Sequence, residues 1–211
     1  MAYDSTEQEQ VETLKRFWSE NGKALIGGTL IGLVAFFGYQ TWNSNQKVEA
    51  EAASTEYMRL MDSLSTNRLE EAASSGSQII GSYADTAYAP LSALAMARIK
   101  LEQGDTVTAR AHLNWAIKHS DIPEIQNLAY IRLAAILLSD GLVEQAVSAL
   151  DKVKGDSFAS LKNETLGDIY VEMKSNDKAQ QAYKDAMATM EQGAGQRANF
   201  LQMKLDDVAG L

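Results

Sequence analysis

LGDIYVEMKSNDKAQQAYKDA, residues Leu166 to Ala186, is the stretch from which the fold is read. A large apolar residue, Leu166, precedes a small one, Gly167, and Tyr170 follows at helical spacing. Asn176-Asp177 gives a turn signal, after which Ala179, Tyr183 and Ala186 resume a helical period. That is the pattern of two amphipathic helices joined by a tight turn. Working outward, Ala109 and Ala146 stand at points equivalent to Ala179, with spacings of 37 and 33 residues. Twelve residues before these alanines come the small residues Ala97, Ala134 and Gly167, each preceded by Met96, Leu133 or Leu166. Four residues after them come the bulky Leu113, Leu150 and Tyr183; seven after come Ala116, Val153 and Ala186. Gly104-Asp105 and Asp140-Gly141 punctuate the first two units as Asn176-Asp177 does the third.

This is the logic of the tetratricopeptide repeat, a helix–turn–helix unit of ~34 residues. Small residues let paired helices approach, and large ones fill the space between them. The third unit resembles the repeat most closely. The first two are degenerate, with Lys100 and Leu137 where the pattern prefers tyrosine. One such unit cannot bury its own apolar face, so stacking into a curved solenoid is expected, with a concave face suited to peptides or proteins. Upstream, Lys47 to Leu64 reads as one helix and Leu69 to Tyr83 as another, the latter weakened by Ser74-Ser75-Gly76. Downstream, Arg197 to Val208 reads as a terminal helix. Phe200, Leu201 and Leu205 are expected to cover the last exposed face, after a break at Gly193 and Gly195.

The uncharged run Ala24 to Gln46 has a different character. Its apolar heart, Ala24 to Trp42, would span ~28 Å as a helix, close to the ~30 Å of a bilayer's hydrocarbon core. An anchor, a cleaved signal peptide ending near Val48-Glu49-Ala50 and a buried core helix all meet this description. The long acidic segment before the run and the length of the run favour the anchor. Lys15, Arg16 and Lys23 precede it and Lys47 alone follows closely, which places residues 1–23 in the cytoplasm and residues 43–211 across the membrane. Phe17, Trp18, Tyr39 and Trp42 lie near its ends as an aromatic belt would. Gly28 and Gly32, with Ala35 nearby, allow close approach of a partner helix or of a second copy; glycine is also simply common in membrane helices. Val11, Leu14 and Trp18 give the leading segment an amphipathic period.

The chain has 19 Lys and Arg against 28 Asp and Glu, a net charge of −9. An acidic domain repels phosphate backbones, so nucleic acid is not an expected partner. The absence of cysteine excludes disulfides, thiolate metal sites and cysteine nucleophiles. His112 and His119 are the only histidines, and they carry none of the flanking pattern of a metal site. No catalytic constellation and no cofactor motif is present, so an enzyme is not expected. Trp115 and Tyr183 read as packing residues.

The segment Gln10 to Leu25, QVETLKRFWSENGKAL, followed by Tyr39 to Ser44, YQTWNS, resembles the N-terminus of the YfgM family. Leu201 to Leu205, LQMKL, and the whole layout extend the likeness along the chain. The resemblance implies an ancillary subunit of the SecYEG translocon in the bacterial inner membrane, with its repeat domain in the periplasm. It further implies association with the periplasmic chaperone PpiD and with exported, still unfolded proteins. Two other readings share the same anchor and groove: a scaffold for another envelope complex, and a stress-signalling protein whose cytoplasmic tail binds a regulator.

Overall fold

The computed structural model describes residues 4–190 and 195–210, and within them it is all-helical. The helices are α1 (Asp4–Ser65), α2 (Leu69–Ser82), α3 (Tyr88–Glu102), α4 (Thr106–His119), α5 (Pro123–Ser139), α6 (Val143–Leu150), α7 (Ala159–Glu172), α8 (Asn176–Ala188) and α9 (Gly195–Ala209). The chain divides into two units, Met1–Glu49 and Ala50–Leu211. The described residues of the first belong to α1, whose most apolar window has mean hydropathy 1.4 with none of it buried. It is long and apolar enough to cross a membrane, and its exposure removes the reading of a buried core helix.

The second unit is a stack of helical hairpins that begins earlier than the sequence pattern indicates. Apart from Gly155 (φ 72°), in the connection after α6, four residues adopt the left-handed conformation: Asn67 (φ 56°), Gly104 (φ 78°), Gly141 (φ 74°) and Lys174 (φ 54°). Each closes a helix in the same way. Its N–H donates to the carbonyl three residues back, and the next N–H donates to the carbonyl five back, as in Asn67 to Leu64 with Arg68 to Ser63. Gly104 and Asp105, Gly141 and Leu142, and Lys174 and Ser175 repeat the pair of bonds. This is the Schellman closure, which satisfies carbonyls that a helix end leaves without partners. Five residues after each turn stands a fully buried alanine: Ala72, Ala109, Ala146 and Ala179. The hairpins are therefore α1–α2, using the last turns of α1, then α3–α4, α5–α6 and α7–α8. The third turn expected at Asn176-Asp177 falls at Lys174 instead, because Asn176 already opens α8.

Size complementarity holds each hairpin together. In α3–α4 and α5–α6 the pairs are Ala97 with Leu113 and Ala134 with Leu150, all within one core. In α7–α8 the contrast is extreme: a Cβ on Gly167 would overlap Cε1, Cδ1 and Cζ of Tyr183. In α1–α2 the order is reversed. Leu60 occupies the small residue's position and Gly76 the large one's; a Cβ on Gly76 would lie 3.0 Å from Leu60 Cδ1 and 2.7 Å from Met96 Sδ. Ser74-Ser75-Gly76 thus does not break α2, since the glycine is where the neighbouring hairpin comes closest.

The connection after α6 is longer than the others. Asn127, 5% exposed on α5, pins it: its Nδ2 donates to the Lys154 carbonyl at 2.7 Å, and the Lys154 N–H donates to its Oδ1 at 3.0 Å. At the far end, α9 covers α7–α8. Leu201 and Val208 are buried and Leu205 packs beside them, whereas Phe200 is 46% exposed. The covering stripe therefore runs Leu201, Leu205, Val208, one face at helical spacing, and the expectation for Phe200 is corrected. The expected break at Gly193 lies outside the described residues, and Gly195 is the first residue of α9. Lys204 fixes the register of α9, with Nζ 2.7 and 2.8 Å from the Asp168 carboxylate and 3.1 Å from Glu164. Tyr183 Oη donates to the same Asp168 at 2.8 Å. Burial first, and then that bond, raises the Tyr183 pKa far above its ordinary value, so the phenol stays a donor.

Two stability predictions follow from this packing. Helix propensity alone would make Gly167→Ala stabilising by up to ~1 kcal/mol, but overlap with the Tyr183 ring should make it destabilising by about 1–3 kcal/mol. Adding Tyr183→Leu should recover part of that loss, so thermal melts of the single and double variants should be non-additive. Asn127→Ala should cost about 1–3 kcal/mol, because it leaves both Lys154 backbone groups without their partner, and denaturant titration of the same chain reads it.

Candidate functional site

The residues that define the repeats are largely interior and act by packing, though Ala97 and Leu113 also line a cleft. Met96, Ala97, Ala109, Leu113, Ala116, Leu133, Ala134, Ala146, Leu150, Gly167, Ala179, Tyr183 and Ala186 are buried, and Leu166 and Tyr170 are half-buried. Gly28, Gly32 and Ala35 are exposed on the first unit, and a Cβ on either glycine would meet nothing within 4 Å.

A cleft of about 510 Å³ opens between α3 and α5. α3 contributes Ala97, Arg98 and Leu101; α5 contributes Arg132, Ala135, Ile136 and Ser139; Leu113 of α4 forms the floor. Each set recurs at three- and four-residue intervals and so lies on one helix face. The cleft follows from a difference between neighbouring hairpins. Six and two residues before the turn, α3 carries Arg98 and Glu102, whereas α5 carries Ala135 and Ser139. Small side chains on one wall leave room that long ones on the other do not fill. Leu101 is 45% exposed there, an apolar residue at the mouth.

Charge in the cleft is unevenly satisfied. Arg98 Nε donates to Glu102 Oε1 at 2.8 Å. Arg132 Nη1 reaches only the Leu94 carbonyl, at 3.4 Å. Burial, followed by the charge of Arg98, lowers the Arg132 pKa from its ordinary value, partly offset by Tyr57. An arginine stays protonated through such a shift, so Arg132, an exposed residue, places a cation at the edge of the largely apolar cleft. Spacing alone does not single out Arg132 or Leu101, because the cleft forms between helices of successive repeats. A faint signal exists in the replacement of Arg98 and Glu102 by Ala135 and Ser139 at equivalent positions.

The histidines do not converge. His119 is exposed and stacks on Trp115 with ring centroids 4.2 Å apart, its Nδ1 2.9 Å from the Trp115 carbonyl. His112 is half-buried on the same helix, and burial lowers its pKa. Among the described residues no three His, Asp or Glu side chains lie close enough together to hold a metal. The cleft can offer apolar contact and a forked donor; it presents no nucleophile paired with a base.

Comparison with known proteins agrees with this architecture. Residues 15–210 match the model of the tetratricopeptide repeat-like domain family. A Haemophilus influenzae protein named ancillary SecYEG translocon subunit is 30% identical over 99% of this chain and 100% of its own length. Proteins of the same name from Neisseria gonorrhoeae and Escherichia coli K12 are 27% and 24% identical, covering 99% and 96% of this chain and 100% and 97% of theirs. With anchor-type helix, hairpin array and N-terminal block all included in matches of this length, the chain belongs to the YfgM family of tetratricopeptide repeat-like proteins.

Proposed function

We propose that this chain is an ancillary subunit of the SecYEG translocon, working as a membrane-anchored adaptor. The observation that carries the reading is the end-to-end match to relatives bearing that name, anchor segment included. In this reading residues 1–23 are a cytoplasmic tail, 24–42 cross the inner membrane, and 43–211 form the periplasmic repeat domain. The bias of Lys15, Arg16 and Lys23 over Lys47 supports that orientation. Gly28, Gly32 and Ala35 then face a partner helix in lipid, where small residues permit close backbone approach.

The hairpin array takes segments of exported, still unfolded proteins and passes them toward periplasmic folding factors such as PpiD. A curved array with an apolar cleft binds extended polypeptide through side-chain contacts and requires no chemistry. The acidic balance supports this use, since it disfavours adhesion to anionic lipid. The anchor confers a second advantage: tethering replaces free diffusion with a raised local concentration at the membrane.

Affinity purification of the full-length protein from native membranes in mild detergent, after in-cell crosslinking, should recover translocon subunits together with a periplasmic chaperone. Recovery of a different stable complex without translocon would move the function to a scaffold. Replacing Gly28 and Gly32 together by Ile should reduce translocon recovery while leaving the melt of the repeat domain unchanged. Because the chain has no cysteine, Gln10→Cys and Ser74→Cys give clean topology reporters. In intact cells with a permeabilised outer membrane, an impermeant maleimide should label Ser74→Cys and not Gln10→Cys; the opposite pattern would invert the topology.

A further inference from the structure

The cleft between α3 and α5 is apolar on most of its walls and carries one cation, Arg132, without a carboxylate partner among the described residues. Arg98 is already paired with Glu102. Among the described residues no carboxylate lies within 4.0 Å of Arg132, whose bond to the Leu94 carbonyl is long at 3.4 Å. A guanidinium has five N–H donors in a planar fork, so most of the donors of Arg132 remain open to a ligand. That fork matches a carboxylate. The surrounding domain is acidic, and an acidic ligand is repelled from most of its surface. Binding of such a ligand therefore depends on a local positive site, and the cleft supplies one.

The dimensions indicate what form the ligand takes. From Arg132 to Ser139 the α5 wall runs seven residues, ~10 Å along the helix. That is the length of about three residues of extended chain, in which side chains two positions apart point the same way and stand ~7 Å from each other. The cleft opens to the surface, so a ligand need not insert a chain end to reach it. We propose that this cleft binds an internal, extended polypeptide segment in which an Asp or Glu sits two positions from a large apolar residue. The carboxylate meets Arg132, and the apolar side chain lies between Leu101 and Ile136. The inference rests on the adaptor reading and names the class of segment the array selects.

The test uses the full-length protein in detergent micelles and fluorescent peptides blocked at both ends, so that no terminal carboxylate is present. One peptide carries leucine and glutamate two positions apart in a glycine–serine background; in a second, glutamine replaces the glutamate. Fluorescence anisotropy should show the glutamate peptide binding about tenfold more tightly, the range expected for a charge-assisted hydrogen bond at a partly exposed site. Arg132→Gln should abolish that discrimination, and Arg132→Lys should keep part of it, since charge survives and the fork does not. Leu101→Ser should weaken both peptides alike. Equal affinity for the two peptides, no binding of the glutamate peptide, or unchanged discrimination in Arg132→Gln overturns the proposal. Binding only by a version with a free C-terminus also overturns it, in favour of a chain-end ligand. Translocon recovery reports separately on the adaptor reading: peptide indifference with intact recovery defeats this inference alone, and lost recovery in the unaltered protein defeats the reading beneath it.

Discussion

Close approach of two helices at one point per hairpin is the constraint on which the domain depends. A position twelve residues before the buried alanine and another four residues after it share a fixed space. Ala97 with Leu113, Ala134 with Leu150, Gly167 with Tyr183 and Leu60 with Gly76 divide that space differently, but each pair contains one small and one large residue. Protein interiors are packed too tightly for both to be large, and a pair of small residues would leave a void that costs stability. The Schellman turns fix where the second helix starts, and the buried alanine five residues on fixes how near it comes. The rest of the array follows from repeating this geometry.

The cleft is a consequence of the same rule. The interior of each hairpin is constrained, whereas the outward positions of its first helix are not. In α3 those positions hold Arg98 and Glu102, which pair with each other; in α5 they hold Ala135 and Ser139. Neighbouring helices of unequal side-chain reach leave a furrow. Its apolar floor is core showing through, which explains why Leu113 belongs both to the interior and to the cleft. At the end of the array the corresponding surface is closed instead by α9, where Lys204 neutralises Asp168 and Glu164. The groove is thus left available in the middle of the stack and sealed at its C-terminal end.

Much of this was legible in the sequence, because hairpin packing is governed by residue size at fixed spacing. The three C-terminal hairpins, the terminal helix and the anchor-type helix follow from periodicity and length alone. The hairpin formed by α1 and α2 does not, although Ala72 stands 37 residues before Ala109. Its large and small partners have exchanged places, and a pattern that expects glycine or alanine before the turn passes over Leu60. The turn at Lys174 was hidden because lysine carries no preference for the left-handed conformation; the Asn-Asp pair after it looked the better turn. The exposure of Phe200 is not readable from the sequence, because a helix with apolar residues on two faces does not declare which one is covered. The cleft was illegible for a deeper reason: it lies between helices of different repeats, and the partner of a residue across such a boundary is not encoded in its neighbours.

The proposed function requires that the furrow between α3 and α5 meet exported polypeptide in the cell. Site-specific incorporation of a photo-crosslinking amino acid tests it most directly. One position is Ala135, in the cleft; the other is Val107, which is 68% exposed on α4 and outside it. During synthesis of a radiolabelled secretory protein, crosslinks to the newly exported chain are expected from Ala135 and not from Val107. Equal crosslinking from both, or from Val107 alone, would contradict it.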